Sequence, residues 1–126
     1  WIDNIFLQKK FEIESTQLPI NLYRVSLKSL GLNKQTELDH VYKTAKLAGF
    51  KLVNPILALV SRELYLEQPT GEWLRFATPF DSMIDSDGVP HLPKLGKALN
   101  KYFIETYWSY PDAIFHPHNE FVVCKK

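Results

Sequence analysis

A single cysteine, Cys124, in a chain of 126 residues removes two classes of small-domain architecture at once. No internal disulfide can form, and no knuckle of thiolates can hold zinc; a reducing compartment is compatible with this usage. Long apolar runs are missing too. The longest is "ILALV" at 56–60, far short of the ~20 residues that span a bilayer, and no n-region followed by an h-region opens the chain. Charge of one sign is lacking as well: fifteen Lys plus Arg face fourteen Asp plus Glu, a formal +1. Residues 1–60 carry eight basic and five acidic side chains and residues 61–126 seven and nine, an asymmetry too small to steer a polyanion. The chain is therefore expected to be soluble and cytoplasmic, without membrane association, and net charge does not indicate nucleic acid. Finally, no P-loop, dinucleotide fingerprint or G-x-S-x-G motif occurs, so no cofactor is expected.

What is present is ordinary globular material, 45% hydrophobic and 23% charged, enough for one domain over 1–126 with a real core. The chain opens on Trp1 rather than Met, which marks it as a fragment, a processed form or a trimmed chain, and residues 1–30 are expected to be an N-terminal extension or a remnant of something longer. "WIDNIFLQKKFEI" has near-helical apolar spacing, broken by "STQLP". "LYRVSLK" alternates as a strand does and ends at Gly31. Over 36–48, Thr36 can cap a helix whose stripe is Leu38, Val41, Tyr42, Ala45 and Ala48, and Gly49 stops it. Asn54 followed by Pro55 starts a second helix, apolar nearly all round and so buried between other elements. From Tyr65 onward the period becomes two. "LYLEQPTGEWLRF" reads as a hairpin turning at Pro69, Thr70 and Gly71, with Leu64, Leu66, Leu74 and Phe76 inward and Tyr65, Trp73 and Arg75 on the other face. Residues 81–100 look like loop, "KYFIETYWSYP" alternates, and "EFVVCK" is a last strand. The expected fold class is α+β: two or three N-terminal helices packed on an antiparallel β-sheet built from residues 64–124.

Several of these stretches also carry a resemblance. "VYKTAKLAGFKLV", "LYLEQPTGEWLRFATPF", "DSDGVP" and "YWSYPDAIF" resemble a group of small uncharacterised bacterial proteins that share an amphipathic helix, a Q-P-x-G-E-W hairpin and a D-S-D-G turn. The resemblance covers roughly the last ninety residues and implies a bacterial origin and a compact domain; it implies no activity.

Four constellations have chemical potential. Asp85-x-Asp87-Gly88 matches positions three, five and six of a calcium loop, but Met83 and Lys94 stand where the first and last carboxylates belong, which favours a plain turn. His116-x-His118-x-Glu120 would put two imidazoles and a carboxylate on one face of an extended chain, completed by His91 or Asp112 and oriented by Glu105, Asp112 or Asp87. Such a site would serve a metal-assisted hydrolase; Pro117 and Asn119 argue instead for a polar turn. Cys124 beside Lys125 and Lys126 could have a lowered pKa, and Glu105 with His116 or His118 could form an acid/base pair. Seventeen aromatic residues, dense from Tyr102 to Phe115, exceed what one small core needs. The leading expectation is accordingly a non-catalytic binding or regulatory module that meets another protein through Tyr65, Trp73, Arg75, Tyr102, Trp108 and Tyr110.

Overall fold

The final strand foreseen from "EFVVCK" is the one around which the sheet is assembled. In the computed structural model, which describes residues 21–125, it is paired along both edges and covered on both faces. The elements run β1 (Leu22–Ser26), a short 3₁₀ turn (Lys28–Leu30), β2 (Thr36–Glu37), α1 (Leu38–Leu47), β3 (Phe50–Lys51), α2 (Ile56–Leu64), β4 (Trp73–Phe76), β5 (His91–Ala98), β6 (Lys101–Trp108), β7 (Ile114–Phe115) and β8 (Glu120–Lys125). The main sheet has the order β1-β8-β4-β5-β6. Along its other edge β8 meets β4, parallel at residues 120–122, and then β3, antiparallel at Lys125 and Cys124. β2 and β7 form a separate two-stranded ribbon.

Alternation sorts the side chains of this sheet into two cores. Leu74, Phe76, Leu95, Val122 and Cys124 pack with Ile56, Leu57 and Ala58 of α2. Phe121, Val123, Val25 and Leu92 pack with Leu38, Val41 and Tyr42 of α1 and with Phe115 of the ribbon. Four consecutive residues of β8, 121–124, are thus buried, as expected of a strand with both faces covered. No helix among the described residues is long and apolar enough to cross a membrane.

The chain is an α+β domain, but the expected architecture needs correcting. Two helices are found among the described residues, one on each face of the sheet rather than stacked together on it. The sheet is mixed, not antiparallel, and draws β1 and β3 from the first half of the chain. β1 lies inside the stretch expected as an extension and pairs with β8 over its full length, while the helical spacing at 1–13 lies outside the described residues. Helix α2 is buried at its first turn and exposes Val60 and Leu64 further on, so it is not enclosed all round.

The expected hairpin at 64–76 is also absent. Only Trp73–Phe76 is strand, because α2 continues to Leu64 and side chains then replace the ladder. Arg62 donates to the Gln68 side chain at 2.7 Å and to the carbonyls of Tyr65, Gly96 and Phe103 at 2.8, 2.9 and 3.1 Å. Gln68 in turn donates to the Leu95 carbonyl at 3.1 Å, and the Gly71 N–H to that of Lys97 at 2.7 Å. Leu64 and Leu66, expected inward, are exposed. The hairpin that does form is β5–β6; β5 and the turn at Leu99 and Asn100, with φ of 51° and 61°, fall in the stretch that reads as loop, while β6 is the strand expected there.

The caps differ in kind as well. Thr36 does not cap α1: its hydroxyl donates to the Lys34 carbonyl, while the first helical N–H groups, of Leu38 and Asp39, donate to the carbonyls of Ala113 and Pro111. Asn54 does cap α2, its side-chain oxygen accepting the Ile56 N–H at 3.0 Å.

If β8 holds both cores together, Phe121→Ala, which removes a ring 1% exposed and edge-on to Phe115 at 5.0 Å, should cost about 3–5 kcal/mol in urea unfolding. Leu47→Ala, at a residue 90% exposed, should stay within about 0.5 kcal/mol of wild type.

Candidate functional site

The N-terminal ends of the parallel pair β4 and β8 lie side by side, and the side chains there come from four segments. Arg24 of β1 is the hub. Its Nε and Nη2 grip both oxygens of Glu120 at 3.1 and 2.9 Å, Nη2 also reaches Glu72 at 2.9 Å, and Nη1 donates to the Tyr65 hydroxyl at 3.1 Å. Tyr65 closes the ring by donating to Glu72 at 2.9 Å. The hydrogen bonds to Glu120 and Glu72 raise the Arg24 pKa above the ordinary arginine range.

A hollow opens on each side of this ring. Toward α2 there is an apolar groove of about 330 Å³, with Leu22, Tyr23, Leu64, Leu74 and Phe76 in its walls and Arg24 and Tyr65 at its polar edge. Across the ring lies a polar pocket of about 290 Å³ whose walls include Trp73, Arg75, His118 and Asn119, with Glu72 and Glu120 at the shared boundary.

Arg75 distinguishes the second pocket. Its cross-strand neighbours are Lys94 on β5 and Phe121 on β8, so neither adjacent strand offers it a carboxylate. The guanidinium carbon lies 5.6 Å from the ring centres of both Tyr107 and Phe115. Among the described residues nothing hydrogen-bonds or ion-pairs with Arg75, and its Nε is buried without a partner, whereas the terminal nitrogens are not buried. Burial pushes its pKa down, opposed by Tyr107. Beside it, Lys94 sits over Trp73 at 4.6 Å and over Tyr107 at 5.4 Å, with Glu105 at 3.9 Å. The Trp73 indole lies flat against Gly96, where any Cβ would overlap the ring.

The six expected binding residues therefore do not share one surface. Trp73 and Arg75 come together in the polar pocket. Tyr65 belongs to the Arg24 ring on the groove side. Tyr102 is turned toward α2, its hydroxyl donating to the Leu66 carbonyl at 2.6 Å and its ring under Arg62 at 4.8 Å. Trp108, 63% exposed, stands at the far end of β6 opposite His91, with Tyr110 just beyond it. Arg24, Glu72, Lys94 and Tyr107 were missed. Alternation placed Arg24 and Tyr107 on strands and Lys94 lay in a stretch that reads as loop, and nothing local shows which distant strand each faces.

The segment "HPHNE" turns rather than running extended. Asn119 accepts the His116 N–H with its side chain at 2.8 Å and returns its own N–H to the His116 carbonyl at 3.0 Å. His116 then lies beside Gln35, His118 lines the polar pocket and Glu120 is held by Arg24. Among the described residues no three His, Cys, Asp or Glu side chains are grouped to hold one metal ion. Cys124 is buried, and its thiol pKa is pushed up by burial with only partial relief from Lys51, contrary to the expected lowering by its lysine neighbours.

"DSDG" is a turn closed by Asp85. One carboxylate oxygen accepts the N–H groups of Asp87 and Val89 at 2.9 and 3.0 Å, and the other meets His91 Nε2 at 2.9 Å. The His91 bond, then the Val89 and Asp87 amides, hold the Asp85 pKa below the ordinary range. A carboxyl depressed in the folded state stabilises above its unfolded value, about 4, and loses that contribution as pH falls through the folded value. Asp85→Asn should therefore melt lower than wild type at pH 7, with the gap closing as thermal scans are taken down to pH 3. No family model, curated protein or solved structure matches this chain.

Proposed function

We propose that the chain is a non-catalytic binding module of bacterial, cytoplasmic origin. It docks a partner protein on the face that carries Trp73, Lys94 and Tyr107, with an anionic group of that partner entering the polar pocket at Arg75. The observation behind this reading is Arg75, which lines the pocket and has its Nε buried and no counter-ion among the described residues. A partly desolvated cation without a carboxylate carries a cost, and an incoming anion would relieve it. The neighbouring rings supply the aromatic and arginine anchors characteristic of binding hot spots.

The pocket does not resemble a catalytic centre. Its two carboxylates are committed to Arg24, and among the described residues no nucleophile stands beside a base in its walls. Among the described residues, the apolar groove across the Arg24 ring contributes no comparable unmatched group.

Affinity capture from the host with the full chain tests the reading. A partner retained by wild type should be lost with Trp73→Ala and with Arg75→Gln, each weakening binding roughly tenfold or more, and retained by Trp108→Ala. Equal recovery by wild type, Trp73→Ala and Arg75→Gln, all folded by circular dichroism, would reject it.

A further inference from the structure

The chemistry of the pocket narrows the kind of anion that can enter it. Resting on the reading just given, we infer that Arg75 receives a carboxylate of single charge carried on a short organic stem, and that phosphate is excluded.

Three features carry this inference. First, the two terminal nitrogens of Arg75 are accessible while Nε is buried, so the open side of the guanidinium is a two-pronged donor edge that matches the two coplanar oxygens of a carboxylate. Second, the pocket already holds negative charge. Glu72 and Glu120 both line it, and Arg24, which pairs with both, offsets one of their two charges. A monoanion adds one negative charge to what remains. A phosphate dianion would add two at the same distance, in surroundings that screen less than bulk water. Third, the pocket is small, about 290 Å³, and one wall is the Trp73 indole, held against Gly96 and topped by Lys94. The ring offers apolar surface to the stem. Both an aspartate or glutamate side chain and a free chain terminus have the required chemistry.

The test is NMR titration of the full chain labelled with ¹⁵N, following the Arg75 Nε–H and the Trp73 indole N–H. The probes are N-acetylglycine, for a chain terminus, and N-acetylaspartate amide, for a side chain, against inorganic phosphate and sodium chloride at matched ionic strength. A saturable shift of both signals with one or both acids, at least about tenfold tighter than with phosphate, is the expected result. The stronger acid identifies the source. Arg75→Lys, which keeps the charge and loses the fork, should weaken the acid response roughly tenfold. Phosphate binding as tightly as the acids would overturn the carboxylate inference and leave the anion reading standing. No saturable shift with any probe would overturn both. The wild-type comparison decides even if Arg75→Lys folds poorly.

Discussion

Everything in this domain depends on β8 being paired on both edges and buried on both faces. β1 takes one edge; β4 and β3 share the other. Because residues 121–124 are all buried, their alternate side chains must feed two different cores, and each core needs its own cover. Helices α1 and α2 are those covers. The parallel register of β4 on β8 then sets the N-terminal ends of both strands together, which brings Glu120 into one small region with Glu72 and Arg75 although it is far from them in sequence.

Two arginines perform opposite tasks around that region. Arg24 is fully occupied, by Glu120, Glu72 and the Tyr65 hydroxyl, and binds the first strand to the last and to the segment before β4. Arg62 is occupied by carbonyls and by Gln68, and fastens the end of α2 to β5 and β6 where no ladder reaches. Arg75 has neither kind of partner. It is the third arginine of the described residues, and the contrast with the other two makes its open donor edge informative.

Strands with strong alternation were legible from sequence: Leu22–Ser26, Lys101–Trp108 and Glu120–Lys125 lie where their patterns put them, as do both helices to within a few residues. What failed was pairing. The alternation of Tyr65 to Phe76 suggested two arms, but Arg62 and Gln68 act from outside that window and hold residues 65–72 without a ladder. β5 was hidden by Pro93 and by a turn, Leu99-Asn100, that lacks the glycine usual at such positions. The pocket was legible only in part. Trp73 and Arg75, two apart on one strand, were expected on one face, and they share a pocket. Arg24 and Lys94 come beside it through the pairing of β1 with β8 and of β5 with β4, which no local period encodes. His118 was expected as a metal ligand and instead lines this pocket, because Asn119 closes a turn where extended chain was required.

The central claim is that Arg75 is held for an outside anion and contributes nothing to the fold as an ion pair. Chemical unfolding of Arg75→Met without added ligand measures this directly. Methionine keeps most of the stem and removes a partly desolvated charge that has no counter-ion among the described residues, so the account predicts a midpoint equal to or above that of wild type. A loss of about 3 kcal/mol or more, the cost of breaking a buried ion pair, would contradict it.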